Sequence, residues 1–176
     1  MRCFLAIELN KELREELIRI QNELEPFIDA KFVEPENLHL TLKFFPNVDE
    51  KDLKDMIKSL KDMPFSKFPV YLESIGFFPN ESLIRIVWVG LRSERIKELH
   101  DLIESRLENF SKDNNFESHI TLARVKKINN KEGFLKKIEK LKINALSFEV
   151  NEFFLKKSTL TDKGPIYGDV EKFKLV

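Results

Sequence analysis

The sequence predicts an α+β fold of two pseudo-symmetric β-α-β-α-β halves, with mostly antiparallel sheets around a central groove. Three observations predict it. Strand-like and helical hydrophobic periods alternate in the same order twice. Apolar positions of the first run recur 80 or 81 residues later, and a His-x-Thr triplet occurs once in each run at the same separation. The 176 residues fit one bilobal domain, with repeats over about 1–80 and 81–160 and a closing segment over 161–176.

Arg2 to Glu8 is an apolar, strand-like run, and Lys11 to Ile28 places Leu13, Leu17, Ile20, Leu24 and Ile28 on one helical face, with Pro26 blurring its end. Leu38 to Phe45 alternates as a strand, Asp52 to Lys61 is helical, and Phe68 to Ile75 is a strand. The order then recurs as strand Leu83 to Gly90, helix Glu94 to Phe110, strand His119 to Val125, helix Glu132 to Leu141 and strand Leu146 to Lys156. Leu53, Ile57 and Leu60 return as Phe134, Ile138 and Leu141, and Phe68-x-Val70 returns as Phe148-x-Val150. Phe78-Pro79-Asn80 is the natural junction, and each half is expected to build its own small sheet. The tail from Ser158 has no counterpart; turn signals at Gly164-Pro165 and Gly168 precede Phe173-x-Leu175, which is expected to add a strand.

Thirty basic and thirty acidic side chains cancel, so no global field draws the chain to long nucleic acid or an anionic membrane, and an anionic substrate must be met locally. The single Cys3 excludes an intrachain disulfide and a cysteine-ligated zinc site. Apolar runs of about five residues fall far short of a membrane span, and the N-terminus lacks the long apolar region of a signal peptide. A soluble, cytoplasmic protein is expected.

Of three histidines, His39 and His119 are each followed two residues later by threonine, in His39-Leu40-Thr41-Leu42 and His119-Ile120-Thr121-Leu122. On a strand, positions i and i+2 share a face, so each half offers an imidazole and a hydroxyl to one side while the leucines or isoleucine face the core. Two imidazoles facing across a groove suit acid–base work, one taking a proton from a nucleophile and the other donating to a leaving group. The Thr41 and Thr121 hydroxyls stand where developing charge on a phosphodiester needs donors. No Asp, Glu or Cys stands at ligand spacing beside either motif, so neither metal nor cofactor is expected. No Gly-x-Ser-x-Gly elbow favours a serine nucleophile, and His100 reads as a helix-flank residue.

The paired motifs, together with Met1-Arg2-Cys3-Phe4, Arg85 to Gly90, Ala123-Arg124 and the tail Ser158 through Gly164-Pro165-x-Tyr167, resemble the 2H phosphoesterases. Within them, the resemblance is to the RNA 2′,3′-cyclic phosphodiesterases, also called 2′-5′ RNA ligase-like (LigT-like) proteins. It covers the whole chain and implies a bilobal fold and metal-free opening of a terminal 2′,3′-cyclic phosphate to a 2′-phosphomonoester. By it, His39 is the proton donor to the leaving 3′ oxygen, His119 the base activating water, and Thr41 and Thr121 the phosphate ligands. RNA ends bearing the cyclic phosphate, tRNA fragments among them, are the implied partners of a monomer. Ligation through a 2′-5′ linkage, hydrolysis of a small cyclic nucleotide or ADP-ribose derivative, and an RNA-end-binding module without turnover are the alternatives.

Arg124 and Lys43 flank the motifs as candidates to meet phosphate. Lys43, at i+2 from Thr41, is expected on the His39 face; Arg124 has the wrong parity and needs the strand to bend or end. Tyr167, Phe45 and Trp88 are candidates to stack on a base.

Overall fold

The computed structural model describes residues 1–176. In chain order it contains β1 (Arg2–Glu8), α1 (Lys11–Leu24), β2 (Ile28–Phe32), β3 (His39–Phe45), α2 (Glu50–Leu60), β4 (Phe68–Asn80), β5 (Leu83–Arg92), α3 (Glu94–Arg106), β6 (His119–Ile128), α4 (Lys131–Lys140), β7 (Ser147–Val150), β8 (Glu152–Thr161) and β9 (Gly164–Lys174). The starts of α1, α2 and α4 are set by short polar side chains. Asn10, Asp49 and Asn130 each accept a hydrogen bond from the backbone N–H three residues on, satisfying a donor that the first helical turn leaves free.

All strand pairs are antiparallel, in a four-stranded sheet ordered β3-β1-β8-β9 and a five-stranded sheet ordered β2-β6-β5-β4-β7. The halves of the sequence are therefore not the halves of the fold. Strand β4, which ends the first repeat, pairs beside β5 of the second; β8, which ends the second, pairs beside β1 of the first. The exchange is anchored where β4 meets β7: Phe68 lies opposite Val150 and Val70 opposite Phe148, so Pro69 faces Glu149, its own counterpart 80 residues on. A local two-fold axis passes between equivalent strands, and the repeat that marks the duplication forms its seam.

Three sequence expectations change. The helix expected through Ile28 ends at Leu24, because Pro26 has no N–H to continue the ladder, and the chain re-enters as β2 at the edge of the five-stranded sheet. The strand expected over Leu146 to Lys156 divides at Asn151 into β7 and β8, which belong to different sheets. Phe78-Pro79-Asn80 lies within β4 rather than between lobes, and the chain turns only after it, into the β4–β5 hairpin.

One continuous core joins the two sheets, from Cys3, Leu5 and Ile7 of β1 through Leu40 and Leu42 of β3 to Val87, Val89, Ile120 and Leu122. Helices cross between halves as the strands do. Gln21 of α1 donates to the Leu122 carbonyl of β6 at 2.9 Å, and Glu104 of α3 pairs with Lys43 of β3. No helix is long and apolar enough to cross a membrane.

Candidate active site

His39 opens β3 and His119 opens β6, and both line one cavity of about 680 Å³ together with Thr41 and Thr121. Each ring is held in the same way. The His39 Nδ1 lies 2.6 Å from the Asn37 carbonyl oxygen, and the His119 Nδ1 lies 2.7 Å from that of Glu117. A carbonyl only accepts, so the proton of the neutral ring sits on Nδ1 and Nε2 is left as the unprotonated nitrogen. Asn37 and Glu117 are themselves 80 residues apart, so the device was duplicated with the motif.

Beyond that the two sites differ. His39 Nε2 stands 2.9 Å from Thr41 Oγ1, while His119 Nε2 has no hydrogen-bond partner within the chain. His39 stacks on Phe4 with ring centroids 4.9 Å apart and meets the edge of Tyr167 at 5.4 Å. His119 instead lies edge-on to Phe78 at 4.9 Å and beside Trp88 at 5.9 Å. Burial among aromatics lowers the His39 pKa to about 4, with Lys156 and His119 pushing the same way and the Asn37 bond and Glu8 opposing. Lys156 is itself buried, paired with Glu8 and with Asp169 at 2.6 Å, and that pairing keeps its ammonium charged despite desolvation. The unliganded His39 is thus neutral near pH 7. An anion placed in the groove would supply the opposite charge that favours its imidazolium.

A β-bulge decides the flanking residues. In the β1–β3 ladder Leu5 faces Lys43 and Ala6 faces Thr41, so Leu42 is an extra residue; in the β5–β6 ladder Val87 faces Ala123 and Trp88 faces Thr121, so Leu122 is extra. An extra residue reverses side-chain parity beyond it. Lys43, expected on the His39 face, consequently turns inward: it is 2 % exposed, pairs with Glu104 of α3 and donates to the Ser111 carbonyl at 2.6 Å. It does not reach the groove. Arg124, expected to need a bend, gets one and lines the cavity, as does Phe44 at the equivalent place in the first half. The parity of two strands could be read from sequence, but not a bulge that changes it.

Tyr167 lines the cavity and packs on His39, and burial raises its pKa, so it stays a phenol. Phe45, considered for base stacking, is buried against Phe110 at 5.6 Å. Trp88 sits behind His119 rather than in the groove. His100 is buried and stacked on Phe116 at 4.1 Å, away from the cavity. Sequence reasoning missed Arg2 and the exposed Phe44 as cavity residues, and Asn37 as the residue that orients His39. No three His, Cys, Asp or Glu side chains gather as a metal-holding group.

Comparison with known proteins meets this geometry. The model of the family described as LigT like Phosphoesterase matches the chain twice in succession, over residues 7–88 and 89–167, one match for each His-x-Thr motif. The chain belongs to the LigT-like 2H phosphoesterase family. Among relatives of this phosphoesterase, the Methanocaldococcus jannaschii protein named RNA 2′,3′-cyclic phosphodiesterase is 37% identical, over 98% of this chain and 100% of its own. The Archaeoglobus fulgidus protein of the same name is 36% identical over 99% and 100%. Of solved structures, that of a Thermus thermophilus protein, TT0787, superposes with a TM-score of 0.85 at 30% identity, covering 99% of this chain and 98% of that one. The E. coli LigT structure complexed with 3′-AMP gives 0.77 at 26% identity, over 99% and 97%.

Proposed function

We propose that this LigT-like phosphoesterase opens the 2′,3′-cyclic phosphate at an RNA end to a 2′-phosphomonoester, without a metal, using its two histidines as acid and base. The observation that carries the reading is the pair of Nδ1-anchored imidazoles, whose Nε2 atoms share one cavity with two threonine hydroxyls and Arg124.

The phosphate sits between the halves. Thr41 and Thr121 donate to its non-bridging oxygens, and Arg124 offers a planar fork to the same anion. His119 Nε2, with no partner in the chain, takes a proton from water as that water attacks phosphorus. The 3′ oxygen leaves with a proton from His39, whose imidazolium is favoured once the phosphodiester anion is bound. One P–O bond forms and one breaks, and each histidine ends in the other's initial protonation state. With the 5′-hydroxyl of a second RNA end in place of water, the same step forms a P–O5′ bond, breaks the P–O3′ bond and leaves a 2′-5′ linkage, so ligation shares the site and its acid and base. The names of the curated relatives support RNA as the substrate, and the complex of E. coli LigT with 3′-AMP supports nucleotide binding in this fold.

The test is product analysis. A short RNA ending in 2′,3′-cyclic phosphate, incubated with the protein in chelator, is expected to yield a 2′-phosphate terminus. An unchanged end, or a 3′-phosphate, overturns the reading.

A further inference from the structure

The duplication accounts for the catalytic centre, but two segments lie outside it, and they meet at one end of the groove. Strand β2 has no counterpart: the second half runs from α3 to β6 through residues 107–118 without a strand. The β8–β9 hairpin tip has none either. Asn37, just after β2, donates from its side chain to the Pro165 carbonyl of that hairpin at 3.1 Å, closing the two together. Between them lies a second cavity of about 160 Å³, about five water volumes, which shares Asn37, Arg124 and Tyr167 with the catalytic groove.

Its polar lining suits an anion. Lys31 lies directly opposite Arg124 in the β2–β6 ladder, so both side chains leave the same face. Glu34 is the one carboxylate there; it stands 3.9 Å from Lys31 and accepts from Asn37 at 3.3 Å. The opposite end of the groove has the reverse character. The hollow there is lined by Asp113 and Glu117, and its lysine, Lys43, is spent on Glu104. A phosphate-bearing chain leaving the catalytic centre is drawn one way and repelled the other.

Resting on the cyclic-phosphodiesterase reading, we propose that Lys31, in the pocket adjoining the groove at Arg124, holds the phosphodiester immediately 5′ to the terminal nucleotide, with the Arg124 guanidinium standing between the two phosphates. The non-repeated segments then give strand polarity to an otherwise symmetric site and make an oligonucleotide, rather than a mononucleotide, the preferred substrate.

The experiment compares a 2′,3′-cyclic mononucleotide with a dinucleotide carrying the same cyclic end, in wild type, Lys31→Gln and Glu34→Gln, with calorimetric binding of the corresponding 2′-phosphate products as a readout independent of turnover. Wild type is expected to favour the dinucleotide by about tenfold in kcat/KM, one charge-assisted hydrogen bond's worth. Lys31→Gln collapses that ratio through KM and lowers the salt dependence of dinucleotide binding by about 0.7 in log–log slope, while Glu34→Gln raises the ratio. If both substrates turn over equally, or Lys31→Gln leaves the ratio and the slope as they were, the subsite is wrong while the activity stands. If neither turns over, the activity reading fails. Product binding that Lys31→Gln does not weaken removes the subsite in that case also.

Discussion

The indole of Trp88 lies so close over Gly76 that a Cβ on Gly76 would stand 2.2 Å from the ring. Gly76 and Trp88 are cross-strand partners in the β4–β5 ladder, and the same place in the other sheet is taken by Phe154 facing Ala6. The halves thus solve one packing problem with large and small residues exchanged, and His119 owes one wall of its surroundings to the glycine. Gly76→Ala is therefore expected to displace Trp88, destabilise the protein by about 1–3 kcal/mol and lower kcat. Trp88 is the only tryptophan, so its fluorescence reports the displacement directly. An unshifted spectrum with full activity would contradict the packing argument.

Lys43 joins the first motif's strand to the loop leading into the second: its ammonium pairs with Glu104 and holds the Ser111 carbonyl, and Glu104 also accepts from the Asp113 N–H at 3.4 Å. Lys43→Met leaves the Glu104 carboxylate without its partner and is expected to cost about 3 kcal/mol, a fall in Tm of roughly 6–12 °C. Paired Lys43→Met and Glu104→Gln should recover much of it. A phosphate-binding lysine would instead raise KM at unchanged Tm.

Both results bear on what was legible in the chain. Hydrophobic periods and the 80-residue offset reveal the elements, the duplication and both His-x-Thr pairs, because each depends on local spacing. Which sheet receives β4 and β8 is a long-range matter, and so is the bulge at Leu42 that turns Lys43 inward and the matching one at Leu122 that turns Arg124 outward. Alternation alone assigned those two residues the wrong way round. β2 was hidden because Ile28 continues the helical face of α1, and only Pro26 marks the break.

The lowered pKa of His39 makes stability depend on pH. The unfolded imidazole titrates near 6.5 and the folded one at about 4, so the unfolded state binds more protons between those values. The contribution of the buried neutral ring is complete above pH 6.5 and is lost as pH falls toward 4, in all about 3 kcal/mol. Denaturant titrations of wild type and His39→Gln, subtracted, should show this window. A difference independent of pH would contradict it.

The same shift predicts proton uptake on binding. Near pH 6 the free His39 is almost wholly neutral, and an anion beside Nε2 favours its charged form. Calorimetry with a 2′-nucleotide in buffers of different ionisation enthalpy should register a fraction of a proton taken up, absent in His39→Gln. Arg124→Ala should weaken the same binding about tenfold or more while leaving the uptake in place.

The central claim is that two equivalent histidines divide one proton transfer cycle. Single-turnover hydrolysis of an RNA 2′,3′-cyclic phosphate in chelator, measured for wild type, His39→Ala, His119→Ala and the double variant, tests it most directly. Each single variant should lose about 10²–10⁴-fold, with the double variant little slower than the slower single one, because residues acting as a unit are not additive. Full loss of wild-type activity in chelator, or either single variant retaining its rate, would contradict the account.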